Sequence, residues 1–301
     1  GTFAYQEFIS LIDNVFGAKK FVPRTIDLSK DYVASGDSYT SITYDSKDDP
    51  TRMVKIYNEG VPSMVAEKEI VIADAVYRMG IVSPKPIGLV LADGRLGVEF
   101  ERIVNKRSYA RAISQEPENM ERFVTTFAQY CKKIHSTPCR TDIFPSVVDI
   151  VKNDIITSDL FDDAKKEIIL SFIDSVPEAH TCLHGDMHVG NLLMAGGKNY
   201  WIDLGDFAYG NPLFDLGMVY FTCKANVEEV TMHLYHVSNA TMAKAWEVFV
   251  REYFGPDADL DEIDRRVEPF AALRMLHLGK AFNMMPEMLE FIRKTPFDYK
   301  F

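Results

Sequence analysis

The chain has 301 residues, and 33 lysines and arginines against 44 aspartates and glutamates give a formal charge of −11. A content of 47% hydrophobic and 26% charged residues is that of an ordinary globular protein and excludes collagen-like, low-complexity and largely disordered classes. The acidic excess argues against nucleic acid or an anionic membrane face as partner, because like charges repel.

The most apolar stretch, 207–223, is interrupted by Asp215, so no membrane insertion is expected. The first residues lack a basic segment followed by an apolar one, so no signal peptide is expected. Cys131, Cys139, Cys182 and Cys223 form no C-x-x-C pair and read as buried reduced thiols of a cytoplasmic protein.

In chain order, Phe8, Leu11, Ile12, Val15 and Phe16 recur at helical spacing and predict a short amphipathic helix over 5–17. Tyr32-Val33, 41–44 and 53–57 read as short strands, separated by a Ser35-Gly36-Asp37-Ser38 turn and a 46–50 loop. Pro62 suits the first turn of a helix whose stripe Ile72, Val76, Met79 ends at Gly80. Segments 87–91 and 97–102 flank Ala92-Asp93-Gly94-Arg95, a hairpin signal.

Beyond Ile103 the pattern turns helical. Phe123, Phe127, Cys131 and Ile134 share one face, and further helices are predicted around 160–173, 212–222, 240–254 and 261–293. The expectation is an α+β chain with a small antiparallel-sheet lobe carrying one helix over 1–103 and a mainly helical lobe over 104–301, ligands binding where they meet.

The chemistry concentrates in His184-Gly185-Asp186-Met187-His188-Val189-Gly190-Asn191 and in Trp201-Ile202-Asp203-Leu204-Gly205-Asp206. The intervening 192–194 and 199–202 read as a hairpin around Ala195-Gly196-Gly197-Lys198, which is expected to set Asn191 opposite Asp203, side chains about 5 Å apart. An amide oxygen and a carboxylate are hard ligands that suit Mg²⁺, which completes its octahedron with waters and phosphates. Asp186, on the loop feeding that hairpin, is placed to act as a base that orients a hydroxyl toward a phosphoryl group.

His184-Gly185-Asp186-x-His188-x-x-Asn191 followed by Ile202-Asp203-x-x-Asp206 resembles the signature of the aminoglycoside phosphotransferase and choline kinase superfamily. Met53-Val54-Lys55-Ile56-Tyr57 resembles its third strand, 97–103 its hinge strand, and Asn211-Pro212-Leu213-Phe214-Asp215-Leu216 the element after the metal aspartate. The resemblance implies a protein-kinase-like two-lobe fold. It also implies Asp186 as catalytic base, Asn191 and Asp203 as Mg²⁺ ligands, Lys55 on the phosphates of ATP, and adenine against the backbone of Glu101 to Ile103. These residues do not separate ATP from GTP.

Periodicity selects Glu69 as the partner of Lys55, because Glu69 shares a helix face with Ile72, Ala73 and Val76 whereas Glu67 shares one with Val71, Asp74 and Arg78. The phosphate loop around Gly36 and Ser38 departs from the family pattern, with one glycine and with Asp37 close to where phosphates would lie.

His184 reads as a residue that holds the loop. His184 and His188 are four apart, but the glycines at 185 and 190 argue against the helix a zinc pair needs. Asp206 either adds a metal contact or orients Asp203, and Asp215 reads as a brace under the loop. The run Asp257, Asp259, Asp261, Glu262, Asp264 has Glu262 where a calcium loop needs glycine, so it reads as the acidic start of a helix.

The leading expectation is an ATP-dependent kinase acting on a hydroxyl of a small molecule. The alternatives are a nucleotide-binding module without turnover and a metal-dependent phosphoester hydrolase. Amino alcohols, aminoglycosides and neutral sugars all remain compatible as acceptors.

Overall fold

Alternating apolar residues and tight turns build a sheet in the first third of the chain, and apolar stripes at helical spacing build the rest. The computed structural model describes residues 22–38, 40–280 and 283–301. The helix read over 5–17 and Tyr39 of the phosphate loop lie outside the described residues. The chain divides into two units, 1–106 with 193–206 and 107–192 with 207–301.

The first unit carries a six-stranded sheet in the order β1-β5-β6-β4-β3-β2. Its strands are β1 (Arg24–Thr25), β2 (Tyr32–Asp37), β3 (Ser41–Ser46), β4 (Arg52–Tyr57), β5 (Pro86–Ala92) and β6 (Arg95–Glu101), with a helical turn α1 (Leu28–Asp31) after β1. All pairings are antiparallel except β1 with β5. The β5–β6 hairpin closes on Asp93 and Gly94 at φ 50° and 75°, the left-handed pair that a two-residue turn matched to strand twist requires.

Val54 and Ile56 on β4 are fully buried in a cluster with Ile26, Tyr32, Val90 and Ala92, each contributing about 1.5–3 kcal/mol by leaving water. Strand alternation then sends Lys55 to the opposite face. Gly97 sits opposite Ile56, and a Cβ there would lie 2.3 Å from the Lys55 carbonyl oxygen, so only glycine lets β6 approach β4 beside Lys55.

Two local expectations are corrected. β2 extends through the segment read as a turn, because a bulge between Ala34 and Gly36 keeps it paired with β3. Pro62 precedes helix α2 (Ser63–Arg78) as its N-cap residue at φ −59° and ψ 139°, since its extended ψ cannot belong to the first turn.

The second unit contains a two-residue strand β7 (Arg107–Ser108), helices α3 (Tyr109–Gln115), α4 (Met120–His135), α5 (Val147–Thr157) and α6 (Asp163–Ser175), and strand β8 (Thr181–Leu183). The hairpin strands β9 (Leu192–Ala195) and β10 (Lys198–Trp201) follow, with residues 193–206 belonging to the first unit. The second unit resumes with β11 (Ala208–Gly210), α7 (Leu213–Tyr220), α8 (Glu228–Tyr235), α9 (Asn239–Phe254), α10 (Leu260–Leu278) and α11 (Pro286–Lys294). β8 pairs antiparallel with β11, Leu183 opposite Ala208, which fixes the strand that leads into 184–191.

The predicted single helix over 261–293 is instead two. Gly279 ends α10, and Pro286 opens α11, where its preset φ helps and its missing N–H costs nothing. Asp259 caps α10 by accepting from the amides of Asp261 and Glu262 at 3.0 and 3.2 Å. A Cβ on Gly217 of α7 would lie 2.4 Å from the backbone of Phe270, so α7 and α10 pack backbone to backbone there. Among the described residues no helix is long and apolar enough to cross a membrane.

Candidate active site

In the first unit Lys55 is held between two carboxylates. Its Nζ donates to Glu69 Oε1 at 3.0 Å and to Asp203 Oδ1 at 2.6 Å. β4 supplies the lysine, α2 the glutamate, and the turn after β10 the aspartate, whose backbone is left-handed at φ 56°. Burial alone draws the Lys55 ammonium down, but the charges of Asp203 and Glu69 outweigh it and hold the group above its ordinary range. Burial raises the Glu69 carboxyl against the opposing pull of Lys55, and its Oε2 is buried without a partner. Asp206 lies 3.8 Å from Lys68, a lysine the sequence reading passed over.

The other first-unit residues are committed to the sheet. Gly36 pairs with Thr43, and a Cβ there would meet Thr43 Oγ1 at 2.9 Å. The Ser38 amide donates to the Ser41 carbonyl at 2.8 Å, and the Ser41 amide donates to Ser38 Oγ at 3.2 Å. At the end of β6, the amides of Glu101 and Arg102 donate to the carbonyls of Lys85 and Thr51, and Ile103 is buried.

In the second unit the loop after β8 presents Asp186. Its Oδ2 accepts from Asn191 Nδ2 at 3.0 Å, and the same amide donates to the Asp186 carbonyl at 2.9 Å. His188 Nδ1 accepts from the Gly190 amide at 3.1 Å, which leaves the proton on Nε2, 3.7 Å from Asp186 Oδ2. The His188 ring stands edge-on to Tyr235. Arg274 Nη2 lies 3.5 Å from Asp186 Oδ1.

Beneath this loop Asp215 accepts from the amides of His184 and Gly185 at 2.7 and 2.8 Å and from His135 Nε2 at 2.9 Å. Tyr253 O–H closes the chain on His135 Nδ1 at 2.7 Å. Burial pushes the Asp215 carboxyl up, but its bond to His135 and the charges of His135 and His184 prevail and hold it below the usual carboxylate range. His184 is buried, and its Nδ1 accepts from the Asp186 amide at 3.1 Å.

The sequence assigns no role to Arg274, Tyr253 or His135, the last noted only in Ile134-His135-Ser136 as resembling the end of the helix before the catalytic segment, although a signal existed for two of them. Arg274 continues the buried stripe of Val267, Phe270 and Ala271, and His135 that of Phe127, Ala128 and Cys131, and a polar residue on an apolar face needs a partner. Tyr253 carries no comparable mark.

A family model described as the phosphotransferase enzyme family, APH, matches residues 34–245. The chain belongs to this family. A search of curated proteins returns no match.

Among solved structures, a thermostable mutant of aminoglycoside phosphotransferase APH(4)-Ia matches with a TM-score of 0.58 at 12% identity, covering 94% of this chain and 95% of that one. A choline/ethanolamine kinase family protein from Mesorhizobium loti matches at 0.53 and 14%, covering 96% and 92%. APH(2")-IIa in a streptomycin–ATP ternary complex matches at 0.54 and 14%, covering 97% of each chain. The antiparallel-sheet first unit and helical second unit are those of kinase-like phosphotransferases, and family and fold together support a small-molecule phosphotransferase.

Each unit, taken by itself, offers an oxygen donor of the kind a hard cation accepts. Asp203 keeps Oδ2 beyond its bond to Lys55, and Asn191, with Nδ2 committed to Asp186, presents its amide oxygen. Among the described residues no three His, Cys, Asp or Glu side chains gather as a metal cluster.

Proposed function

We propose that the chain transfers the γ-phosphoryl group of ATP or GTP to a hydroxyl of a small molecule. The observation that carries this reading is Lys55, half-buried and bonded to both Glu69 and Asp203. A lysine fixed by one carboxylate on a helix and another on a loop is arranged to meet phosphate oxygens.

Lys55 would bind the nucleotide phosphates, with Glu69 holding its ammonium in place. Asn191 and Asp203 would supply Mg²⁺ ligands, the cation contributing neutralisation of phosphate charge when bound. Asp186 would accept the hydrogen bond of the acceptor hydroxyl, fix its lone pair toward phosphorus and take its proton as the new P–O bond forms and the bond from the γ-phosphorus to the β–γ bridging oxygen breaks, releasing the nucleoside diphosphate. Asp215, through the amides of His184 and Gly185, keeps that loop in shape. The backbone at Glu101 to Ile103 is the proposed rest for the base. The loop at Gly36 and Ser38 would cover the phosphates, although its internal serine bonds leave fewer amides for them.

Those bonds favour a second reading, a nucleotide-binding module with weak or absent turnover. The structural neighbours include a choline/ethanolamine kinase family protein and aminoglycoside phosphotransferases in complex with streptomycin, gentamicin and kanamycin, so amino alcohols and aminoglycosides head the acceptor panel. We infer a cytoplasmic setting, a reading that consumption of a nucleoside triphosphate and four free cysteines support.

The test is thermal unfolding with ATP and with GTP, each with and without Mg²⁺. A nucleotide at about 100 times its Kd adds about 2.7 kcal/mol and raises the midpoint by several degrees. A Mg²⁺-dependent rise supports the site, and no rise with either nucleotide at millimolar concentration contradicts both readings.

A further inference from the structure

The carboxylate of Asp186 stands at the tip of a loop whose preceding residue, Gly185, has φ 86°. Both side-chain torsions must be fixed if one oxygen is to face an acceptor hydroxyl. Within the loop, Asn191 and His188 both act on Oδ2.

The third contact comes from a different element. Arg274 lies on α10 with only 10% of its side chain exposed, and its Nη2 reaches Asp186 Oδ1 at 3.5 Å. A nearly buried guanidinium must have an anionic or hydrogen-bonded partner. Its helix is anchored at Val267, Phe270 and Ala271, all fully buried, so the arginine reaches the loop from rigid support.

We propose that Arg274 is a positioning residue for phosphoryl transfer, fixing the plane of the Asp186 carboxylate by holding Oδ1 while Asn191 holds Oδ2. This rests on the phosphotransfer reading above and goes beyond it, since Arg274 lies outside the 184–206 motif. In this role Arg274 acts through Asp186. The consequence is non-additivity: once the carboxylate is gone, the arginine has nothing to orient.

The experiment is a double-mutant cycle of Arg274→Met and Asp186→Asn on the full chain, with Arg274→Lys as the conservative variant. The reaction measured is transfer from ATP·Mg²⁺ or GTP·Mg²⁺ to choline, ethanolamine, kanamycin and streptomycin, with water as the background acceptor. Arg274→Met should lower kcat on the order of 10²-fold, the scale of a misoriented catalytic group, with nucleotide KM unchanged. Arg274→Lys should recover part of the rate, as should added guanidinium with Arg274→Met. In the Asp186→Asn background, Arg274→Met should change kcat less than threefold, the signature of coupled residues.

Equal losses in both backgrounds, or no loss in the wild-type background, overturn the positioning role while leaving the phosphotransfer reading intact. A wild-type chain that transfers phosphate to none of these acceptors, water included, overturns both. Should Arg274→Met fail to fold, Arg274→Gln and Arg274→Lys take its place in the same cycle, with the same outcomes deciding.

Discussion

Replacing Lys55 by methionine keeps the length of the side chain and deletes a cation held by carboxylates at 3.0 and 2.6 Å. Glu69, whose side chain is 4% exposed, then stands buried with no counter-charge. Breaking a buried pair in this way costs about 3–5 kcal/mol, or roughly 6–20 °C in unfolding midpoint at about 2–4 °C per kcal/mol.

The deficit should depend on pH with a definite sign. Without Lys55 the folded-state pKa of Glu69 lies further above its unfolded value of about 4.3. Well below that value both states are protonated and the cost is small. As pH rises above the unfolded value the cost grows by about 1.4 kcal/mol per unit, until the folded pKa is passed. Restoring neutrality with Glu69→Gln in the same chain should recover most of the loss.

The assay is urea unfolding followed by fluorescence of the two tryptophans in the sequence. Trp201 lies in the first unit and Trp246 in the second, so single Trp→Phe changes assign each transition. A deficit below about 1 kcal/mol, or one equal at pH 4.5 and pH 8, would refute the reasoning.

Three further outcomes are expected. Asp186→Asn should leave the nucleotide-induced rise in midpoint intact and reduce kcat by about 10²-fold to 10⁴-fold, and loss of both together would make Asp186 structural. Asp215 has a folded pKa below its unfolded value, so its contribution is present above about pH 4 and disappears as pH falls through the folded value; Asp215→Asn should therefore destabilise at pH 7 and flatten the acid limb of the stability profile, measured by midpoint against pH. Gly217→Ala places a methyl against the Phe270 backbone and should cost about 1–3 kcal/mol in denaturant unfolding, whereas an unchanged midpoint would mean that α7 and α10 are not packed so closely.

What the sequence made legible was what short-range physics controls. Glu69 was found from its place among Ile72, Ala73 and Val76, and it meets Lys55 as that periodicity requires. The Asp93-Gly94 turn was visible because few residue pairs tolerate two left-handed conformations. The short helices α3, α5 and α8 were missed, because their stripes span too few residues for periodicity to register. The break between α10 and α11 was missed although Gly279 and Pro286 mark it, since the apolar pattern resumes beyond it. Arg274 lies 88 positions from Asp186 in sequence, and only tertiary packing brings the pair together. The extension of β2 through Gly36 likewise depends on its partner strand, not on the local Ser-Gly-Asp-Ser signal.

The most direct test of the central claim is transfer of radiolabelled γ-phosphate from ATP or GTP, with Mg²⁺, to the acceptor panel of amino alcohols, aminoglycosides and sugars. Labelled phosphoester should form with the wild-type chain and one of these acceptors, vanish on chelation of Mg²⁺, and fall by at least about 10²-fold with Asp186→Asn. Nucleotide binding without labelled product from any acceptor would contradict phosphoryl transfer and leave the binding-module reading in its place.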